Sequence, residues 1–227
     1  MIEKNYFKYE RELRPGESIL DRKQKSNELS TKRGKVIINS FCSPDDIASL
    51  SFIKTYTKYA RYRSIVSKKE TLIKAALQPD TNVTLAFTPD GKIIGFGILE
   101  YPPPEERWIR VGDHIMMVAS VIEVGRPWRS LGISKKILWF LGDHPLEERK
   151  IFYMVGYSWT WDLEGISAMD YRNMLISLFS QQGFEIYQTN EPNIMMRPEN
   201  LFMARIGANI SEDIRKRFKL VRFNLNP

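Results

Sequence analysis

The stretch Val118–Leu138, VASVIEVGRPWRSLGISKKIL, decides the fold. It opens as a β-branched strand, bends through Gly125-Arg126-Pro127, and continues as an amphipathic helix. In that helix Ile133, Ile137, Phe140 and Leu141 fall at i, i+4, i+7 and i+8, a stripe that packs on a sheet. Between strand and helix lies Arg129-Ser130-Leu131-Gly132-Ile133-Ser134, which fits Arg/Gln-x-x-Gly-x-Gly/Ala with serine in the last small position. A strand that runs through a glycine turn into a helix N-terminus gathers unpaired backbone N–H groups in one concavity. Those donors and the positive end of the helix dipole make a site for a pyrophosphate. Gly132 admits close approach of a ligand, and Ser134 is the smallest hydroxylated substitute for a second glycine. Lys135 sits close enough to the turn to reach a phosphate. Neither GxxxxGK[ST] nor GxGxxG occurs, so the turn belongs to neither of those nucleotide-binding patterns.

With 227 residues, 43% of them hydrophobic, the chain can bury one substantial core with an appendage. The lone Cys42 rules out an internal disulfide and favours a reducing compartment. His114 and His144 lie far apart in sequence, so no zinc pattern forms and no metal is expected. No apolar run has the length of a membrane span, and the N-terminus lacks a signal-peptide core; a cytoplasmic protein is expected. The net charge of +7 divides into +4 over residues 1–35, +4 over 205–227 and −1 over 36–204. Basicity confined to the two ends is a poor footprint for a nucleic-acid-binding fold, which needs a basic face on its body.

Residues 1–34 are polar and rich in breakers, and read as an N-terminal extension that packs loosely or pairs with a neighbour; 35–227 read as one domain. Lys35–Ser40 begins it as a short strand. Ser43-Pro44-Asp45-Asp46 announces a helix, and Ser67-Lys68-Lys69-Glu70 another, with Leu72, Ile73, Ala76 and Leu77 on its apolar face. Thr81–Thr88 and Lys92–Tyr101 form a hairpin about Pro89-Asp90-Gly91. His114–Val124 is the central strand. Lys150–Tyr157 is a buried strand parallel to it, reached by a right-handed helical crossover. Trp159 and Trp161, two apart in a strand, point the same way as a packed core edge or interface, or as the wall of an acceptor or pantetheine channel with Asp162 at its mouth. The helix Ala168–Gln182 is closed by Gly183, and Gly183-Phe184 starts a strand.

The turn at 129–134 resembles the pyrophosphate-binding motif of the GNAT (Gcn5-related) N-acetyltransferases, and the helix followed by Gly183-Phe184 resembles their C-terminal motif. The ordered set GKIIGFGILEYPPPEERW, VASVIEVGRPWRSLGIS, YSWTWDLEG, DYRNML and ENLFMARIGANIS is similar to the acetoin utilization protein A family of bacterial GNAT enzymes. The match runs over about Thr84–Phe223, with WDLEG and LFMARIG its most specific parts. Ser134 departs from the family's glycine-terminated turn. Phe179 stands where a tyrosine often serves as general acid, so that role does not carry over. The resemblance implies an α/β (α+β) GNAT fold, a mixed central sheet flanked by helices, with acetyl-CoA as cosubstrate. It implies a protein-lysine N-acetyltransferase that acetylates and inactivates acetyl-CoA synthetase in acetate or acetoin metabolism. A small-amine acetyltransferase on the same fold, and a non-catalytic CoA-binding module that docks the synthetase, are the alternatives.

An acceptor lysine has an unperturbed pKa of about 10.4 and must lose its proton to attack a thioester, which desolvation of the inserted lysine or a carboxylate that takes the proton, directly or through water, can bring about. Glu123 is the candidate general base, with Asp162 and Glu100 behind it. Strict alternation places Glu123 on the face of Ala119 and Val121, opposite Ile122 and Val124. A strand-end glutamate also has a plainer use, pairing with Arg126 or Arg129. The amides of Glu123–Val124 are expected at the thioester carbonyl. Those of Leu131, Gly132, Ile133, Ser134 and Lys135, beside Ser130, are expected at the pyrophosphate, with Arg129 adding charge.

Overall fold

The computed structural model describes residues 24–59 and 69–226. Its elements in chain order begin with β1 (Ser26–Thr31), β2 (Gly34–Asn39), α1 (Pro44–Ser49), β3 (Ser51–Phe52), α2 (Lys54–Tyr59) and α3 (Lys69–Ala76). There follow β4 (Asn82–Phe87), β5 (Lys92–Glu100), β6 (Met116–Val124), α4 (Ile133–Gly142) and β7 (Ile151–Gly156). The chain ends with α5 (Ala168–Ser180), β8 (Glu185–Ile186), α6 (Pro192–Met195), β9 (Leu201–Ile206) and α7 (Glu212–Arg222). Among the described residues the strands make one mixed sheet of order β1-β2-β4-β5-β6-β7-β9-β8, with β3 added beside β5. This is the helix-flanked α/β sheet expected from the sequence.

Local chemistry explains the boundaries. Ser43 caps α1 by accepting from the Asp46 amide, and Asp46 answers by accepting from the Ser43 amide. Such a capping box is worth about 1 kcal/mol. Ser67 lies outside the described residues, and Leu77, assigned to the apolar face of α3, falls beyond the helix end and is 64% exposed. The hairpin β4–β5 forms about Gly91 as expected, in antiparallel register from Asn82↔Leu99 to Phe87↔Ile93. β1 pairs with β2 along its whole length, so part of the polar segment read as an extension supplies the sheet's edge strand. Its exposed–half-buried alternation left no apolar run to detect.

The sheet is covered on both faces. On one, Ile137, Leu138 and Leu141 of α4 and Phe179 of α5 bury Val36, Leu99, Met117, Phe152 and Met203. Gly97 lets α4 lie this close, since a side chain there would meet Ile137 at 2.7 Å and Leu141 at 2.8 Å. On the other face, α1, α2 and α3 cover β4 and β5 through Ile47, Tyr56 and Leu72. There α7 covers β7 and β9 through Phe218 and Val221, with Trp108 stacked on Phe202.

Candidate active site

β6 and β7 run parallel but stay paired over three positions only, Met116–Val118 against Ile151–Tyr153. Beyond Val118 they part, and a cavity of about 740 Å³ opens between them. Because it lies between two strands of one sheet, it has a wall on each face. The α4–α5 face contributes Ala119, Ile122, Met154, Trp161, Leu175 and Phe179, an apolar wall. The opposite face contributes Glu100, Glu106, Glu123, Tyr153, Tyr157 and Glu191, a wall rich in carboxylates and phenols.

A β-bulge decides which face holds Glu123. Leu99 pairs with Ala119 and Ile98 with Val121, so Ser120 is an extra residue on β6. Ala119 therefore packs with Ile122 on the α4–α5 face, while Val121 packs on the other with Phe96. This corrects the strict alternation, which grouped Ala119 with Val121 and Glu123. Glu123 keeps its place with Val121, on the carboxylate side.

Behind two lining residues of the cavity, Glu123 and Asp162, Arg129 is surrounded by acceptors. Its Nη2 donates to Glu123 Oε1 at 3.0 Å and to Asp162 Oδ2 at 2.9 Å. Its Nη1 donates to Glu164 Oε2 at 2.9 Å and its Nε to the Val124 carbonyl at 3.1 Å. Arg126 takes Asp162 from the other side, Nε to Oδ2 at 2.8 Å. The Arg126 hydrogen bonds, joined by the charge of Arg129, hold the Asp162 carboxyl below the usual carboxylate range. Burial pushes the Glu123 carboxyl up, against the pull of Arg129. Burial likewise raises Glu100 and Glu106. The guanidinium of Arg129, expected to add charge for a phosphate, is turned to these carboxylates because three of them converge on it.

The bend itself is built from unusual backbone. Ser130 and Gly132 have φ of +60° and +77°, and Gly132 precedes the first residue of α4. Buried Ile133 anchors that helix end to the core. The first amide after the bend with a main-chain partner is that of Lys136, which donates to Gly132. The amides of Ser130, Leu131, Gly132, Ile133, Ser134 and Lys135 have no acceptor among the described residues. A Cβ at Gly132 would have nothing within 4 Å, so the concavity is open. Lys135 is exposed beside it. Six free donors, a helix N-terminus and a lysine fit a diphosphate.

The paired tryptophans behave differently from the expectation. Ser158–Thr160 is a 3-10 turn rather than a strand, so the two rings diverge. Trp161 is buried, stacks on Tyr171 at 5.0 Å and lines the cavity, whereas Trp159 is 39% exposed and stacks on Tyr157 at 4.9 Å. Asp162 follows Trp161 to the cavity wall. Phe179, packed edge-on against Phe184, presents hydrocarbon to the cavity. Among the wall residues that had no role from the sequence are Tyr56, whose hydroxyl donates to the Ile94 carbonyl at 2.9 Å, Tyr153 and Glu106. Glu106 stands in the proline-rich connector, where the adjacent Glu105-Glu106 was the available signal. No group of His, Cys, Asp and Glu among the described residues has the makings of a metal site, and no described helix is long and apolar enough to cross a membrane.

No family model matches the chain. Acetoin utilization protein AcuA of Bacillus subtilis is 30% identical over 201 residues, covering 87% of this chain and 93% of that protein. AcuA of Bacillus licheniformis is 29% identical over 201 residues, covering 88% and 94%. The crystal structure of an acetoin utilization protein from Exiguobacterium sibiricum superposes with a TM-score of 0.83 at 25% identity, covering 90% of this chain and 96% of that one. The likeness covers most of each chain, and the chain belongs to the acetoin utilization protein AcuA family.

Proposed function

We propose that the protein transfers an acetyl group from acetyl-CoA to a lysine of a protein acceptor, and that the acceptor is cytoplasmic acetyl-CoA synthetase, which the modification switches off. One observation carries the reading. A single cavity joins an apolar wall to a carboxylate wall on the opposite face of the sheet, and β6, which borders it, runs on into the bend with the open helix-terminal amides. A thioester carrier suits the first wall and a cationic amine the second, and the gap between β6 and β7 is where they meet. The synthetase as acceptor rests on the resemblance set out from the sequence.

Acetyl-CoA supplies an acyl group activated as a thioester, and the chain's residues do the rest. The amides of Leu131–Lys135, next to Ser130, hold the diphosphate, with Lys135 as the neighbouring charge. The Val124 amide, on the edge of β6 turned away from β5, would face the acyl carbonyl and stabilise the charge that develops on its oxygen. The carboxylate wall draws the acceptor in as an ammonium. Glu123 then takes its proton on the carboxylate, and the raised affinity of that carboxyl for a proton narrows the gap to the lysine; the freed amine bonds to the thioester carbonyl carbon, the C–S bond breaks and coenzyme A leaves as the thiolate. Arg129 holds Glu123 in place, and Asp162 holds Arg129. Mass-spectrometric mapping of synthetase lysines after incubation with the protein and acetyl-CoA tests the reading. One or a few acetylated lysines with loss of synthetase activity is the expected result, and acetyl transfer to free small amines alone contradicts it.

A further inference from the structure

Glu123 uses only one end of the carboxylate wall. Across the β5–β6 ladder Glu123 faces Phe96, and Val118 faces Glu100, four residues further along β5. At about 3.3 Å per residue the two levels are roughly 13 Å apart. On the other side of β6, Tyr153 pairs with Val118 in parallel register, and its fully buried hydroxyl donates to Glu106 Oε2 at 2.9 Å. Glu100 and Glu106 thus flank Val118 at one level of the same cavity. Neither forms an ion pair with a described residue. Arg107, the one guanidinium along this wall, is turned to Asn190 Oδ1 at 2.7 Å. Two carboxyls raised by burial and left without a cation are placed where an arriving positive charge gains most.

A lysine ammonium is a compact point charge. It cannot meet Glu123 and the Glu100–Glu106 pair together across that span. We propose that Glu100 and Glu106 form a second cation subsite, so that the enzyme selects a target lysine with an arginine or a second lysine nearby. The second cation lies within about four residues of the target, the extended chain length that covers the gap. The proposal rests on the protein-lysine reading and names the class of sequence that reading should favour.

Two acceptor peptides of equal length test it, one with arginines flanking a single lysine and one with glutamine in their place. Each is assayed with acetyl-CoA against the wild-type protein and a Glu100→Gln, Glu106→Gln double variant. The wild type is expected to favour the basic peptide in kcat/KM by at least about tenfold, the low end of what a hydrogen bond to a charged group contributes. The double variant is expected to lose most of that ratio. A Glu106→Arg variant, expected to turn the preference toward a glutamate-flanked peptide, gives an independent reading if the double variant folds poorly. Equal use of both peptides by the wild type, or an unchanged ratio in the variants, overturns the subsite and leaves lysine acetylation standing. Transfer to neither peptide, with or without transfer to a free polyamine, removes the lysine reading and the subsite with it.

Discussion

Arg129 Nη2 lies 3.0 Å from Glu123 Oε1 and 2.9 Å from Asp162 Oδ2, so one guanidinium ties the end of β6 to the loop that follows β7. The two strands have already parted at this level, and no ladder hydrogen bond spans the gap. The ion network is therefore what joins the two sides of the gap at this level, through Glu123 and Asp162 of the cavity lining.

Arg129→Ala should cost about 2 kcal/mol of stability, between the values for exposed and fully buried pairs, because it leaves Glu123 and Asp162 without their shared cation. Arg129→Lys should recover only part, since a point charge cannot reproduce the fork that reaches Glu123, Asp162 and Glu164 together. Urea unfolding measures both, and wild-type stability in the alanine variant would refute the bridging role.

Glu100 offers a pH-dependent test with a definite sign. Its folded-state carboxyl is raised by burial, so the folded protein holds that proton more tightly than the unfolded chain does. Stability is then lost as pH rises from the ordinary glutamate range, about 4.3, through the raised value. Glu100→Gln should melt higher than wild type at pH 7, and the difference should vanish below about pH 4, where the carboxyl is protonated in both states. A lower melting temperature at pH 7 would contradict this assignment.

Gly132 separates binding from folding. Its φ of +77° with open space around the Cβ position means that Gly132→Ala pays backbone strain of about 1 kcal/mol and little else. Gly132→Asp adds a negative charge beside the free amides and should weaken acetyl-CoA binding tenfold or more, about the size of a charged hydrogen bond. Calorimetric titration distinguishes the two, and native affinity in the aspartate variant would place the diphosphate elsewhere.

The parts of the fold that repeat locally were legible in the sequence. The capping residues Ser43 and Asp46, the hairpin turn at Gly91 and the α4 stripe from Ile133 to Leu141 each announce an element through a few neighbouring residues. The bend at 129–135 was legible for the same reason. Long-range matters were not. The extra residue at Ser120 changes the face of Ala119 through pairing with β5, and no pattern within β6 marks it. Trp159 and Trp161 part because their segment closes into a 3-10 turn, which two-residue spacing cannot reveal. Glu106 lines the cavity beside Tyr153, whose hydroxyl donates to it from a strand 47 residues away.

The central claim is that Glu123 takes the proton of a lysine brought in from the carboxylate face. Glu123→Gln keeps the shape and the hydrogen bond to Arg129 but removes the proton acceptor. Single-turnover acetyl transfer from preloaded acetyl-CoA to the synthetase, followed across pH, measures this directly. The wild-type rate should fall on the acid side, below a midpoint above the ordinary glutamate range. In Glu123→Gln the rate should drop by about 100-fold or more and that acid limb should disappear, with acetyl-CoA affinity unchanged. A wild-type rate with the same acid limb in Glu123→Gln would contradict the account.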